Sequence, residues 1–315
     1  MRAIPLFTLL LGGWCAVPAY AGEAQDWLNR LSQAEQQQSF QGTFVYERNG
    51  SFSTHNIWHR VQNGKVRERL LQLDGSAQEV VRIDGYTQCV SGSLIAGLGN
   101  TPDGTARALD PQKLKNWYDL AVIGKSRVAG RQAVIVSLTP KDQHRYGFEL
   151  HLDKETGLPL KSLLLNDKGQ LLERFQFTRL NIAEPSDGEL QASSECKAVA
   201  QEPGTATAVK AAWHSDWLPP GFELSSSTTR KDPDTQIQVN SLMYDDGLAR
   251  FSVFLEPLNG ATATDTRTQL GPTAAVSRRL TTPQGEMMVT VVGEIPIGTA
   301  ERIALSMRSD VTATQ

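Results

Sequence analysis

The chain has 315 residues, a formal charge of −3 and 40% hydrophobic residues. The mild acidity argues against a nucleic-acid binder, which carries a basic surplus, and the hydrophobic content suits ordinary globular domains. The length exceeds one typical core, so two domains are expected.

Residues 1–21 read as a secretory leader: Arg2, an apolar run over 4–17, and the small-x-small site Ala19-Tyr20-Ala21. The run is short for a membrane span and polar Glu23, Gln25 and Asp26 follow at once. Cleavage before Gly22 would take Cys15 with the leader and leave two cysteines, Cys89 and Cys196. In an oxidising compartment these can join as a disulfide or stay as two buried thiols, and export favours the bond.

Residues 26–38 place Trp27, Leu28, Leu31 and Ala34 at helical spacing, an amphipathic helix ahead of the first strand. Residues 40–90 then carry Asn49-Gly50, Asn63-Gly64, Asp74-Gly75 and Asp84-Gly85. Such pairs supply the positive φ angles of tight hairpin turns and predict an antiparallel five-stranded meander. Phe40, Phe44 and Tyr46 share one face of its first strand, and Phe52, Thr54, Asn56 and Trp58 repeat the period in the second. Residues 91–110 read as a long loop. A short helix is expected over 111–120, with Asp110 as its cap and Pro111 at the first helical position. Strands resume at 121–128, 133–138, 146–152, 160–165 and 171–180. Local connections of this kind build an unclosed antiparallel half-barrel with helix on its concave side.

Residues 184–212 are rich in Ala, Ser, Glu, Thr and Gly and read as a linker, whose first part Cys196 can pin back to the sheet. A smaller α+β domain is expected over 213–315, after a half-barrel domain at 22–183. Its hairpins are 237–244 with 249–255, turning at Asp245-Asp246-Gly247, and 278–280 with 287–292. A closing helix over 299–307 takes Thr299 as its cap.

No catalytic constellation stands out: there is no Gly-x-Ser-x-Gly elbow, Walker loop or dinucleotide fingerprint. His55 and His59 imitate a zinc-protease pair, but on a strand they lie about 13 Å apart and cannot share a metal. Asp245-Asp246 reads as turn chemistry. Arg67, Arg69 and Arg82 read as a charged face shared with Glu68 and Glu79. Neither cofactor nor metal is expected. Phe44, Tyr46 and Trp58 are candidates to line an acyl-chain cavity, with plain core as the alternative. Phe251, Val253, Met287 and Val289 offer short apolar strand faces to a partner segment, or form the small domain's core.

The segments 40–46, 58–60, 69–75, 143–150, 156–161, 217–222, 244–254 and 291–300 together resemble the periplasmic MucB/RseB regulators, the MucB side most of all. The resemblance runs over nearly the whole mature chain, least over 93–108 and the linker. It implies a periplasmic, non-enzymatic negative regulator of an envelope-stress sigma factor. Such a protein binds the periplasmic domain of a single-span, MucA- or RseA-like anti-sigma factor and shields it from regulated proteolysis. Lipid A, lipopolysaccharide or another acyl-chain ligand releases it, and in the alginate branch it represses alginate synthesis. The resemblance also implies a large domain similar to the LolA/LolB lipoprotein carriers, and it leaves room for a homo-oligomer. The alternatives are a periplasmic lipid or lipoprotein carrier and, less in keeping with the missing motifs, an enzyme acting on envelope polymers.

Overall fold

The computed structural model describes residues 19–76, 78–92, 109–199, 207–208, 212–231, 237–260, 262–282 and 285–310. Most of the expected leader, the centre of the 91–110 loop and most of 200–211 lie outside them.

Eleven strands form the large sheet: β1 Phe40–Arg48, β2 Ser51–Gln62, β3 Lys65–Gln72, β4 Glu79–Ile83, β5 Tyr86–Ser91, β6 Tyr118–Val128, β7 Arg131–Pro140, β8 Gly147–Asp153, β9 Pro159–Leu165, β10 Leu171–Asn181 and β11 Lys197–Ala198. Their order is β11-β5-β4-β3-β2-β1-β10-β9-β8-β7-β6. Two antiparallel meanders, β1–β5 and β6–β10, are joined where β1 pairs β10, and among the described residues β6 and β11 remain the two edges. The turn chemistry sets this path. Asn49 and Gly50, Asn63 and Gly64, and Asp84 and Gly85 all have φ between 51° and 82°, the left-handed pair that matches strand twist in a two-residue hairpin. The β3–β4 turn is longer. There Gly75 alone among the described residues is left-handed, and the Asp74 carboxylate accepts a hydrogen bond from Thr54 N at 2.6 Å.

Helix α1, Ala19–Gln37, crosses the hollow of this sheet. Ala24, Leu28 and Leu31 pack on Tyr118, Leu120, Val134, Val136, Leu138, Leu150 and Leu152, and Ala34 on Phe40, Phe44, Leu158 and Phe177. The i, i+4, i+7 spacing of those small and apolar residues puts them on one stripe. Its docking on the β8–β9 turn needs Gly157 (φ +83°), where a Cβ would lie 3.0 Å from the Arg30 carbonyl. Arg30 Nη2 donates to the Lys154 and Glu155 carbonyls at 3.0 and 3.1 Å.

The helix expected over 111–120 is shorter. Helix α2, Pro111–Leu114, starts under its Asp110 cap, whose carboxylate accepts from Gln112 N and Lys113 N. The chain then turns and enters β6 at Tyr118, because Tyr118 and Leu120 alternate into the core instead of following a helical stripe.

The remaining strands are β12 Thr207–Ala208, β13 Trp213–Ser215, β14 Glu223–Lys231, β15 Gln238–Asp245, β16 Arg250–Pro257, β17 Thr266–Leu270, β18 Thr273–Thr282, β19 Gly285–Gly293 and β20 Met307–Ser309. Seven make a second sheet in the order β12-β14-β15-β16-β19-β18-β17, while β13 pairs β20. Helix α3, Ile297–Ser306, covers one face with Ala300, Ile303 and Ala304. It begins two residues ahead of the expected start, behind Pro296 and without a side-chain cap. Thr299 lies inside the first turn and is buried. Strand β14 had no sequence expectation: its run Leu224-Ser225-Ser226-Ser227-Thr228-Thr229 lacks apolar alternation.

Candidate functional site

The hollow face of the large sheet is an aromatic wall. Cross-strand register places Phe44 opposite His55 and Phe40 opposite His59, and the rings stack at 5.1 and 4.8 Å. Across the other edge of β1, Phe44 meets Phe175 at 4.7 Å, and Phe175 meets Phe177 edge-on at 5.0 Å. Gly42 makes room for Phe177, since a Cβ there would lie 2.7 Å from the ring. Phe44 and Phe177 are buried, while Tyr46, Ile57 and Phe175 are half-buried. The Tyr46 hydroxyl donates to Glu173 Oε2 at 2.6 Å. Burial and the adjacent carboxylate push that hydroxyl above its ordinary pKa.

Two imidazoles break the apolar surface. His55 and His59 are only 6% and 7% exposed, and His55 Nδ1 and His59 Nε2 have no hydrogen-bond partner. Their other nitrogens meet Ser53 Oγ at 2.8 Å and Glu68 Oε2 at 3.4 Å. Burial lowers the His55 pKa. Burial likewise raises Glu35 on α1, against the pull of His59 and with the push of Glu68.

Trp58 does not belong to this wall. It pairs with Gln41, one residue out of phase with Phe40 and Phe44, and so lies on the outer face. There Arg69 sits 4.9 Å over its ring. The segment 184–198 is strapped across that outer face. Arg69 Nη1 donates to the Glu189 carbonyl at 2.9 Å, Arg67 Nη2 to the Leu190 carbonyl at 3.2 Å, and Arg60 Nη1 pairs with Asp187 at 2.7 Å. Glu79 accepts from Arg69 Nε at 2.6 Å and from Ser193 N. Burial would raise its pKa, but the Ser193 and Arg69 bonds hold it below the ordinary value. Cys89 and Cys196 are joined by a disulfide with Cα atoms 5.4 Å apart. Beside it β11 pairs with β5. The first half of the expected linker is therefore part of the large domain.

The four residues proposed to meet a partner form the small domain's core. Phe251, Val253 and Val289 are 1%, 0% and 0% exposed, and Met287 is also buried. Phe251 stacks on Tyr244 at 5.0 Å and tilts against Phe222 at 5.2 Å. Helix α3 covers the face they share. They cannot reach a partner while the domain is folded.

The cleft between the two sheets is open. It holds about 580 Å³. One wall is the β7–β8 loop, with Gln143, His144 and Tyr146, and the Asn166–Asp167 turn; the other is Gln269, Gly271 and the start of α3 with Arg302. The Tyr146 hydroxyl donates to the Ile295 carbonyl at 3.2 Å, and His144 Nδ1 meets Thr299 Oγ1 at 3.2 Å. A groove of about 480 Å³ along the ends of β7 and β8 shares Gln143, Arg145, Asn166 and Asp167 with it. The side-chain amides of the exposed Gln143 and the half-buried Asn166, which line both, can bond the backbone of an extended chain.

Catalytic geometry is weak by contrast. Ser126 Oγ, His151 Nδ1, His151 Nε2 and Glu149 Oε1 form a relay at 2.7 and 2.8 Å. The groove reaches Glu149 but includes neither Ser126 nor the buried His151. Among the described residues, no group of three or more His, Cys, Asp or Glu side chains could hold a metal ion. No helix among them is long and apolar enough to cross a membrane.

Two family models match the chain: the MucB/RseB N-terminal domain over residues 23–199 and the MucB/RseB C-terminal domain over 207–308. The sigma factor AlgU regulatory protein MucB of Pseudomonas aeruginosa is 62% identical over 317 residues, covering 99% of each chain. The MucA/MucB complex structure from the same organism aligns at a TM-score of 0.82 with 62% identity, over 92% of this chain and 100% of that one. A crystal structure of MucB aligns at 0.69 with 60% identity, over 91% and 98%.

Proposed function

The chain belongs to the MucB/RseB family, and from that premise we propose that it is a non-enzymatic negative regulator of an envelope-stress sigma factor. It binds the periplasmic domain of a MucA-like anti-sigma factor and shields it from regulated proteolysis. The observation that carries this reading is the 62% identity to MucB across both domains, together with a complex of that relative with MucA. The protein is exported to the periplasm by its leader. In a producer of alginate it represses alginate synthesis.

The cleft and the partly covered aromatic face divide the work. The cleft, with walls from both domains, takes an extended stretch of the anti-sigma segment. The wall of Phe44, Tyr46 and Phe175 under α1 takes an acyl chain of lipid A or lipopolysaccharide. Such a ligand releases the partner only by binding the partner-free arrangement more tightly, and the coupling is reciprocal.

Protease protection tests the regulator. The purified mature chain is expected to slow cleavage of the anti-sigma periplasmic segment, and added lipid A to restore it. Cleavage at the same rate with and without the protein refutes the reading. A carrier, the second reading supported by the aromatic wall, would instead move labelled lipid between two membranes.

A further inference from the structure

We propose that Arg145, Asp246 and the Trp117–Gly221 contact form a clasp that sets the angle between the two domains in an all-or-none way. The inference rests on the cleft being the partner site, and it concerns how that site is made available.

Arg145 stands in the β7–β8 loop of the large domain and Asp246 in the β15–β16 turn of the small one. Both side chains are fully buried, and Arg145 Nη1 meets Asp246 Oδ2 at 2.5 Å. Arg145 also donates from Nη2 to the Pro220 carbonyl at 2.5 Å, and from Nε and Nη2 to Asp142 at 3.2 and 2.9 Å. Its guanidinium lies 5.1–5.6 Å from the rings of Trp117, Tyr118 and Phe222, two from one domain and one from the other. Asp246 is satisfied in turn: Oδ1 accepts from Leu248 N and Ala249 N at 2.9 and 2.7 Å, and Oδ2 from the Tyr118 hydroxyl at 3.4 Å.

The surrounding packing is as specific as the charges. Gly221 has φ +86°, and a Cβ on it would fall inside the Trp117 indole. Leu248, from the same turn as Asp246, packs into the large domain's core beside Leu114 and Tyr118. The two domains therefore share a core at this point.

A buried ion pair of this kind contributes little net stability, because its attraction only offsets the loss of water from both charges. Its effect is on intermediate geometries. With the joint in register, each nitrogen of the Arg145 guanidinium and each oxygen of the Asp246 carboxylate has a partner, while the buried Trp117 Nε1 has none. With the domains well apart, both charges return to water. An arrangement turned by part of that distance would bury one charge without the other, which is strongly unfavourable. The joint therefore has two arrangements and nothing populated between them. His144 and Tyr146 flank Arg145 in sequence and line the cleft, so the clasped arrangement is the one that brings the cleft's walls together.

Nitroxide labels on Lys125→Cys in the large domain and Leu305→Cys in the small one, both exposed positions, report the angle as a distance distribution. The unaltered clasp is expected to give one narrow distance. Arg145→Gln, which strands the Asp246 carboxylate, and Gly221→Ala, which drives a methyl into Trp117, are each expected to give a second, longer distance. Far-UV circular dichroism is expected to stay unchanged. Adding Asp246→Asn to Arg145→Gln removes the stranded charge and returns the first distance, a rescue that general loosening of the fold would not give. Affinity for a synthetic anti-sigma periplasmic peptide follows the clasped fraction, falling about tenfold when that fraction is about a tenth. The proposal is overturned if both single variants keep the original distance, or if the distance changes while peptide affinity does not. A peptide that fails to bind the unaltered protein refutes the regulator reading instead, and the distances still decide whether the clasp exists.

Discussion

The two sheets of this protein use the same alternation of apolar and polar residues and end in different states. In the small sheet, Phe251, Val253, Leu255, Val276, Val289 and Val291 are at most 1% exposed under α3. In the large one, Tyr46, Ile57 and Phe175 stay half-buried, and two imidazole nitrogens have no partner. The difference lies in coverage. A ten-residue helix seals a compact seven-stranded sheet, whereas α1 spans only part of a curved sheet of eleven strands. A sealed face is frame, and a partly covered aromatic face is a surface that can take an apolar guest.

The contrast can be broken most severely through the disulfide. Cys89 and Cys196 close a loop of 107 residues within the large domain. The double change Cys89→Ser with Cys196→Ser is expected to cost about 4–5 kcal/mol in the chain-entropy model. Urea unfolding followed by domain-specific probes is expected to show an earlier transition for the large sheet only, with faster amide exchange over 184–198. An equal shift in both sheets would mean that the domains unfold as one unit.

Phe251→Ala tests the other side. Truncating a fully buried phenylalanine costs about 3–5 kcal/mol, so the small sheet is expected to melt first. Acyl-chain binding, measured with a fluorescent fatty acid, is expected to persist.

The two faces of the large sheet are separated by a smaller pair of changes. Tyr46→Ala is expected to weaken fluorescent fatty-acid binding several-fold. Trp58→Ala, on the outer face under Arg69, is expected to leave it unchanged and to cost about 1 kcal/mol of stability through the lost cation–π contact. Equal losses of binding from both would return Trp58 to the ligand wall.

The mildest effect is that of pH. Burial holds His55 below its ordinary 6.5 and, against a Glu149 hydrogen bond, His151 as well. The unfolded chain takes up protons around pH 6.5 that these folded side chains refuse. The stability they contribute is therefore complete above 6.5 and is lost as pH falls through that value toward their folded pKa values. Both belong to the large sheet, so thermal melting between pH 7.5 and 5.5 is expected to lower that sheet's transition and spare the small one. Further acid, below the ordinary 4.5 of a glutamate, protonates Glu79 and removes the anchor it provides for Ser193 and Arg69.

Much of this was legible in local chemistry. Every Asn-Gly and Asp-Gly pair between 40 and 90 is a turn between strands. The alternation of Phe40, Phe44 and Tyr46 placed them on one face, as the register with His59 and His55 bears out. The face of β2 was less legible. Its wall side carries His55, Ile57 and His59, so the more apolar-looking set with Phe52 and Trp58 points outward. Asp245-Asp246 looked like turn chemistry, and both carboxylates do accept backbone hydrogens in that turn. The burial of Asp246 against Arg145 depends on a residue 101 positions away.

The hairpin succession was determined by the sequence alone, because turn propensity and side-chain alternation act over a few neighbouring residues; family membership rested on the resemblance of whole segments, and the two-domain plan on length. Which face of β2 lines the hollow, where the linker really starts, and that two charges meet in the joint were decided by the tertiary structure. A residue's surroundings are set by whatever packs on it, and here the strap, α1 and the opposite domain all arrive from distant parts of the chain.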